Sequence, residues 1–247
     1  MKKIIPFLIF CSLSFFGKSH AQTFDSISYK KMYKEVHENP FFDDSLTDAT
    51  KIAGLSKAWA EAKFNFANFD LIPTVNWDSI YHAYIPVALA AKTTKEYYQV
   101  LTRFYTHLND GHTTVIPPKE LWNEMYAAIP IRAKLMNGAV VVTNLFYPIE
   151  EYQLLKPGTI ITEINGQPVQ EYSAEHISPY SSHSTPQDSL ARLYSFNFTR
   201  GALAEHLDLE IVTPEGERIR KSFKRIPAEV LFSFGRDWTY RKNNNST

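Results

Sequence analysis

One histidine in this sequence has the setting of a general base. His112 lies in the run Leu108-Asn109-Asp110-Gly111-His112-Thr113. An imidazole titrates close to neutral pH, so it can take a hydroxyl proton and later return it. A glycine turn placed directly before a strand would fix the direction of the ring, as a base requires. Asp110 reads as an Asx-type cap of that turn, and Gly111 and Thr113 as its supports. The same residues also have a purely structural use, in which His112 closes a helix–strand junction by hydrogen bonding. His107, Asp110 and His112 are the nearest approach to a metal set. Two imidazoles five residues apart across a helix end do not share a face as an i,i+4 pair would, so no metal site and no cofactor is expected. His82, His176, His183 and His206 are scattered and read as solvated. No Gly-x-Ser-x-Gly elbow occurs. Ser28-Tyr29-Lys30-Lys31 has the bare Ser-x-x-Lys spacing, but it sits in a Lys-rich stretch that reads as a solvated helix.

The elements that must carry this turn fall into two regions. Residues 22–118 read as helical. Leu55, Trp59, Ala62 and Phe66 share one helical face. Asn76 is set to cap a helix carrying Trp77, Ile80, Tyr81 and Tyr84, which Pro86 should end or kink. Thr94 is set to cap a third helix, with Tyr97, Leu101, Phe104 and Leu108 on its inner face. Gly111 should supply the left-handed stop, and His112–Ile116 should then run as a strand closed by Pro117-Pro118. Residues 119–232 read as β-rich. Ala139–Asn144 and Thr159–Ile164 are strands flanked by Asn137-Gly138 and Asn165-Gly166. Leu207–Thr213 and Arg218–Phe223 form a hairpin across Pro214-Glu215-Gly216. Tyr172–Phe198 is rich in Ser, His and Pro and reads as loop, with one helix around Gln187–Tyr194. The expected class is therefore α+β.

Composition excludes several roles. The 247 residues are 44% hydrophobic and 14% aromatic, which is enough for a sizeable core and unlike a disordered chain. Basic and acidic residues balance at 26 each, and no basic patch suggests nucleic acid as a partner. Lys2 and Lys3, the apolar stretch Ile4–Phe16 and Ser19-His20-Ala21 have the order of a secretory signal, with cleavage expected after Ala21. The apolar stretch is too short to span a bilayer, so no stable membrane insertion is expected after cleavage. Residues 1–21 thus read as a signal peptide, and the destination as periplasmic or extracellular. Lipid anchoring through Cys11 ranks behind this, because Phe10 is bulky for such processing. The mature chain would hold 226 residues with a formal charge of −3 and no cysteine, which excludes both disulfides and a cysteine nucleophile. Residues 233–247 read as a tail, polar over Asn243–Thr247.

Two stretches, in order, carry a family resemblance. One is the helix ending in Leu108-Asn109-Asp110-Gly111-His112-Thr113. The other is Leu155-Lys156-Pro157-Gly158-Thr159-Ile160-Ile161-Thr162-Glu163-Ile164-Asn165-Gly166. Together they resemble the S41 serine peptidases, the C-terminal-processing and tricorn-like group. Trp77, Asp78 and Tyr81 look like that family's helical N-terminal part. The resemblance implies a helical subdomain over 22–118, ending in the Asp-Gly-His-Thr turn, and a PDZ-like module over 119–232. It implies that residues 233–247 begin a catalytic domain, so that the nucleophilic serine is not in this chain. It implies His112 as the general base of tricorn-like members; in the processing branch a lysine takes that role. Thr159 departs from the family pattern, which has Asp there. The PDZ-like module implies peptide or protein C-termini as partners. Asn137, Gly138 and Val140 are the candidate peptide-binding residues, with Ala139–Val142 as the receiving sheet edge. The other reading is a stand-alone peptide-binding or adaptor protein without catalysis.

Overall fold

The computed structural model describes residues 46–146 and 149–232. The expected signal peptide with Cys11, the Ser28–Lys31 spacing and the tail 233–247 lie outside the described residues. The class is α+β, as the patterning implies.

Three helices form the first layer, α1 (Asp48–Asn65), α2 (Trp77–Ala90) and α3 (Thr94–Thr106), and the short α4 (Trp122–Met125) precedes the sheet. Each begins on a side-chain cap. Thr47 accepts from the Thr50 amide, Asn76 from Ser79 and Thr93 from Glu96. The third cap is thus Thr93, one residue before the expected Thr94. Leu55, Trp77, Ala88, Tyr97, Leu101, Phe104 and Leu108 are buried together, and Trp59, Tyr84 and Phe66 pack against them. The aromatic members bring polar handles. Tyr97 Oη donates to the Lys51 carbonyl at 2.7 Å, and Tyr105 Oη to the Ala58 carbonyl at 2.9 Å. Trp77 Nε1 donates to the Trp59 carbonyl at 3.0 Å. Burial pushes the Tyr97 hydroxyl up to about 12, so it remains a donor at any physiological pH.

Pro86 does not end its helix; α2 runs four residues beyond it. A proline inside a helix costs roughly 3 kcal/mol. Here the fully buried Ala88 and the half-buried Tyr84 and Ile85 keep the helix on the core, and that packing outweighs the lost hydrogen bond.

The second layer is a six-stranded antiparallel sheet. Its strands are β1 (Ile131–Met136), β2 (Ala139–Leu145), β3 (Ile160–Ile164), β4 (Gln167–Pro168), β5 (Leu207–Val212) and β6 (Arg218–Phe223). The order is β1-β2-β3-β5-β6, with β4 also on β3. Asn137-Gly138 and Asn165-Gly166 both have positive φ at both residues, the two-residue hairpin geometry that Asn-Gly favours. Val140, Val142, Ile161, Ile164, Leu207, Leu209, Ile211 and Phe223 fill the inner face. On β5, Glu210 is only 7% exposed at its side chain; it accepts from Arg220 Nε at 2.6 Å and also from Arg218. Thr159, in the position where an Asp was expected, is fully buried and donates to the Leu154 carbonyl at 2.9 Å.

Two expectations about this layer change. Tyr172–Phe198 is mostly helical turns rather than loop. It holds α5 (Val169–Tyr172), a π turn at Ser173–Ile177, a 3-10 turn at Ser178–Tyr180, α6 (Pro186–Arg192) and a π turn at Leu193–Asn197. Pro179 and Pro186 sit in the first positions of their turns, where the absent N–H costs nothing. The strand expected at His112–Ile116 does not form. That segment pairs with no strand, and Val115 instead packs against the helical core.

Candidate active site

The Asp110–Thr113 turn lies where the helical layer meets α6. Helix α3 is followed by Leu108, which is fully buried and anchors the chain. Asn109 then takes the left-handed conformation, φ 48°. The helix stop is therefore Asn109, and Gly111 is not in the left-handed region. Asn can adopt that conformation because its short amide tolerates it.

Asp110 organises the turn. Its Oδ1 accepts from the His112 amide at 3.3 Å, and its Oδ2 from Thr113 Oγ1 at 2.5 Å. Its side chain is 15% exposed. Partial burial would raise its pKa, but the bonds from Thr113 and His112 outweigh that and hold the carboxyl below its ordinary range. The carboxylate is therefore charged at neutral pH, 3.7 Å from His112 Nδ1. The imidazole itself is 90% exposed, so Nε2 is open to a partner arriving from solvent. Asp110, Gly111, His112 and Thr113 are thus brought together as one unit.

The turn is held from the other side by the start of α6, which the sequence reading did not connect with it. The Gly111 amide donates to Ser184 Oγ at 3.1 Å, and Ser184 Oγ donates to Asp110 Oδ1 at 3.4 Å. The Ser184 amide donates to Asp188 Oδ2 at 3.2 Å. Arg192 Nε donates to both Asp188 oxygens at 2.8 Å. Gly111 is closely packed here: a Cβ on it would lie 2.4 Å from Arg192 Nη2 and 2.8 Å from Asp188 Oδ2, so the ends of those side chains would have to shift. The only sequence signal was Thr185-Pro186-x-Asp188, a helix-start pattern in which Thr185 Oγ1 accepts from the Asp188 amide. A cleft of about 400 Å³ opens beside the turn, lined by Phe66, Leu71, Ile72, Asp110, His183 and Pro186.

His107 belongs elsewhere. Its Nε2 meets Tyr84 Oη at 3.0 Å, and burial, aided by the Arg103 charge, lowers its pKa. Among the described residues no three His, Cys, Asp or Glu side chains gather as a metal site.

Asn137, Gly138 and Val140 lie apart, in the β1–β2 hairpin. The expected receiving edge, Ala139–Val142, is not an edge. Val140 pairs with Leu135 of β1 on one side and Ile161 of β3 on the other, and it is 1% exposed. The free edges of the sheet path are β1 and β6. On β1, Ser195 Oγ already donates to the Ala133 carbonyl at 3.3 Å. At the head of β1 is a pocket of about 220 Å³ that includes Tyr126, Arg132, Phe146, Ser195, Thr199 and Arg200. Arg200 is partly buried and lies over the Tyr126 ring at 5.2 Å; among the described residues no carboxylate pairs with it.

No protein-family model and no curated protein sequence matches the chain. Its backbone is similar to solved structures of CPAF, the chlamydial protease-like activity factor. The crystal structure of a serine-to-alanine mutant of CPAF aligns with a TM-score of 0.55 and 19% identity, over 74% of this chain and 35% of the other. Mature CPAF complexed with lactacystin aligns with a TM-score of 0.51 and 16% identity, over 74% of this chain and 36% of the other. This chain shares the fold of the aligned part of CPAF. It spans about a third of the length of the chains it resembles.

Proposed function

We propose that this chain is the helical and PDZ-like part of an exported serine peptidase of the S41 type, with His112 as its general base. The observation that carries the reading is the His112 imidazole. It is 90% exposed, with a charged Asp110 behind Nδ1 that also accepts the His112 amide, and the preceding Gly111 amide is tied to Ser184. In this reading the nucleophilic serine comes from residues outside those described. Its hydroxyl gives a proton to His112 Nε2 as its oxygen attacks the scissile carbonyl. The imidazolium then returns that proton to the leaving amine, leaving an acyl-enzyme for water to hydrolyse.

The test is made on the native protein isolated from its source, with its intact mass measured and its coding sequence read beyond Thr247. It should cleave an unfolded protein and take up a serine-directed phosphonate. His112→Ala should lower kcat by about 100-fold or more, with KM little changed. A native protein that takes no label and cleaves nothing overturns the reading, as does a His112→Ala variant with full activity.

The Arg200 pocket favours a second reading, stand-alone capture of peptide C-termini. A partly buried guanidinium with no carboxylate partner among the described residues suits a ligand carboxylate beside the β1 edge. Peptides with a free C-terminus should then bind at least tenfold more tightly than their amides, and Arg200→Gln should abolish that difference. Equal binding of both forms counts against it.

A further inference from the structure

We propose that Ser184, Asp188 and Arg192 are positioning residues for His112, forming a polar brace from α6 to the turn that carries the imidazole. The inference rests on the peptidase reading for its catalytic meaning, while the brace itself is a property of the chain.

The brace is continuous. Arg192 and Asp188 are one turn apart on α6, and Arg192 Nε spans both carboxylate oxygens at 2.8 Å. That fixes the Asp188 carboxylate, whose Oδ2 holds the Ser184 amide at 3.2 Å. Ser184 then uses its hydroxyl in both directions. It accepts the Gly111 N–H at 3.1 Å and donates its own proton to Asp110 Oδ1 at 3.4 Å. The same Asp110 oxygen holds the His112 amide. Every link from Arg192 to the backbone of His112 is therefore a hydrogen bond with a named donor and acceptor. The packing agrees, because Gly111 lies so close to the Arg192 guanidinium that a Cβ there would make the guanidinium shift.

Ser184 Oγ gives its proton to Asp110 and accepts the Gly111 amide, which makes it a link in the brace. Burial would raise the Asp188 carboxyl, but the Ser184 amide and Arg192 together hold it below the ordinary range, so the brace stays charged through the neutral region. A base displaced by about 1 Å can cost on the order of 100-fold in rate. Loosening one link should therefore cost less than removing the imidazole.

The experiment compares Ser184→Ala, Arg192→Ala and Arg192→Lys with the unaltered full chain. Backbone amide exchange is followed at Gly111 and at the sheet residues Val140 and Ile161. Exchange at Gly111 should quicken at least tenfold in Ser184→Ala and Arg192→Ala, less in Arg192→Lys, and not at all at Val140 or Ile161. In the active enzyme, Ser184→Ala should lower kcat about tenfold with KM unchanged. It should lower nothing further in a His112→Ala background, because the two act through one group. Unchanged exchange at Gly111 overturns the brace. Faster exchange with an unchanged kcat overturns the positioning role and leaves the peptidase reading intact. A native protein without peptidase activity removes the peptidase reading, and the exchange measurement still decides whether the brace exists.

Discussion

The two layers solve the problem of a core differently. In the helical layer the interior is aromatic, and its hydroxyl and indole groups are tied to neighbouring backbone: Trp77 stacks on Phe104 at 4.3 Å, while Tyr97, Tyr105 and Trp77 each donate to a carbonyl of α1. In the sheet layer the interior is mainly aliphatic, and the backbone ladders satisfy the polar groups. The first core is specified by individual partnerships, the second by register. The turn bearing His112 borrows from both, with its anchor Leu108 in the aromatic core and its brace on the sheet side.

The largest effect that would test this contrast is truncation within each core. Phe104→Ala removes a fully buried ring and its contacts with Trp77 and Tyr84, and should cost about 3–5 kcal/mol. Ile161→Ala should cost about 2–5 kcal/mol. Denaturant melts followed by tryptophan fluorescence should show Phe104→Ala altering the native signal of Trp77, and Ile161→Ala leaving it unchanged. The same change from both would erase the distinction.

Gly111→Ala should come next, at about 1–3 kcal/mol, since an added methyl must displace the Arg192 guanidinium. Gly138→Ala also meets strain, from its φ of 82°, but there is open space around it; that cost should be about 1–2 kcal/mol. Only the Gly111 variant should disturb the amide of His112. Asn76→Ala, which removes the α2 cap, should cost about 1 kcal/mol and leave the sheet amides unaffected.

The smallest effect is a separation in pH. Burial and Arg103 hold His107 below its ordinary value near 6.5, so the folded state favours the neutral ring. Its contribution to stability is complete above about 6.5 and is lost as pH falls through the folded pKa. Glu210 is held below its ordinary value of 4.5 by Arg220, against the effect of burial. Its contribution is complete above 4.5 and is lost only at lower pH. On acidification the helical layer should therefore loosen first, seen as faster exchange in α3 below pH 6.5 while β5 stays protected. Simultaneous loosening would refute the ordering.

Much of this was readable because it is local. The Asn76 cap, the two Asn-Gly hairpins and the spacing of Tyr97, Leu101, Phe104 and Leu108 each depend on residues a turn or two apart. What escaped depends on distant partners. Pro86 stays helical because Ala88 is buried against another helix. His112–Ile116 alternates like a strand, yet pairs with none. Ala139–Val142 looks the same whether it has one neighbour or two, and β1 makes it two. The turn at Asp110–Thr113 could be picked out by residue type, but Ser184, Asp188 and Arg192 lie over 70 residues further on, and nothing local joins them to it.

The crowding at Gly111 has a consequence for descent. Glycine there answers to a neighbour and not to a backbone angle, so its constraint can be lifted from a distance. In related chains residues 111 and 192 should behave as a single inherited unit. A lineage that keeps arginine at 192 should favour glycine at 111, and one that shortens 192 should be freer to vary at both.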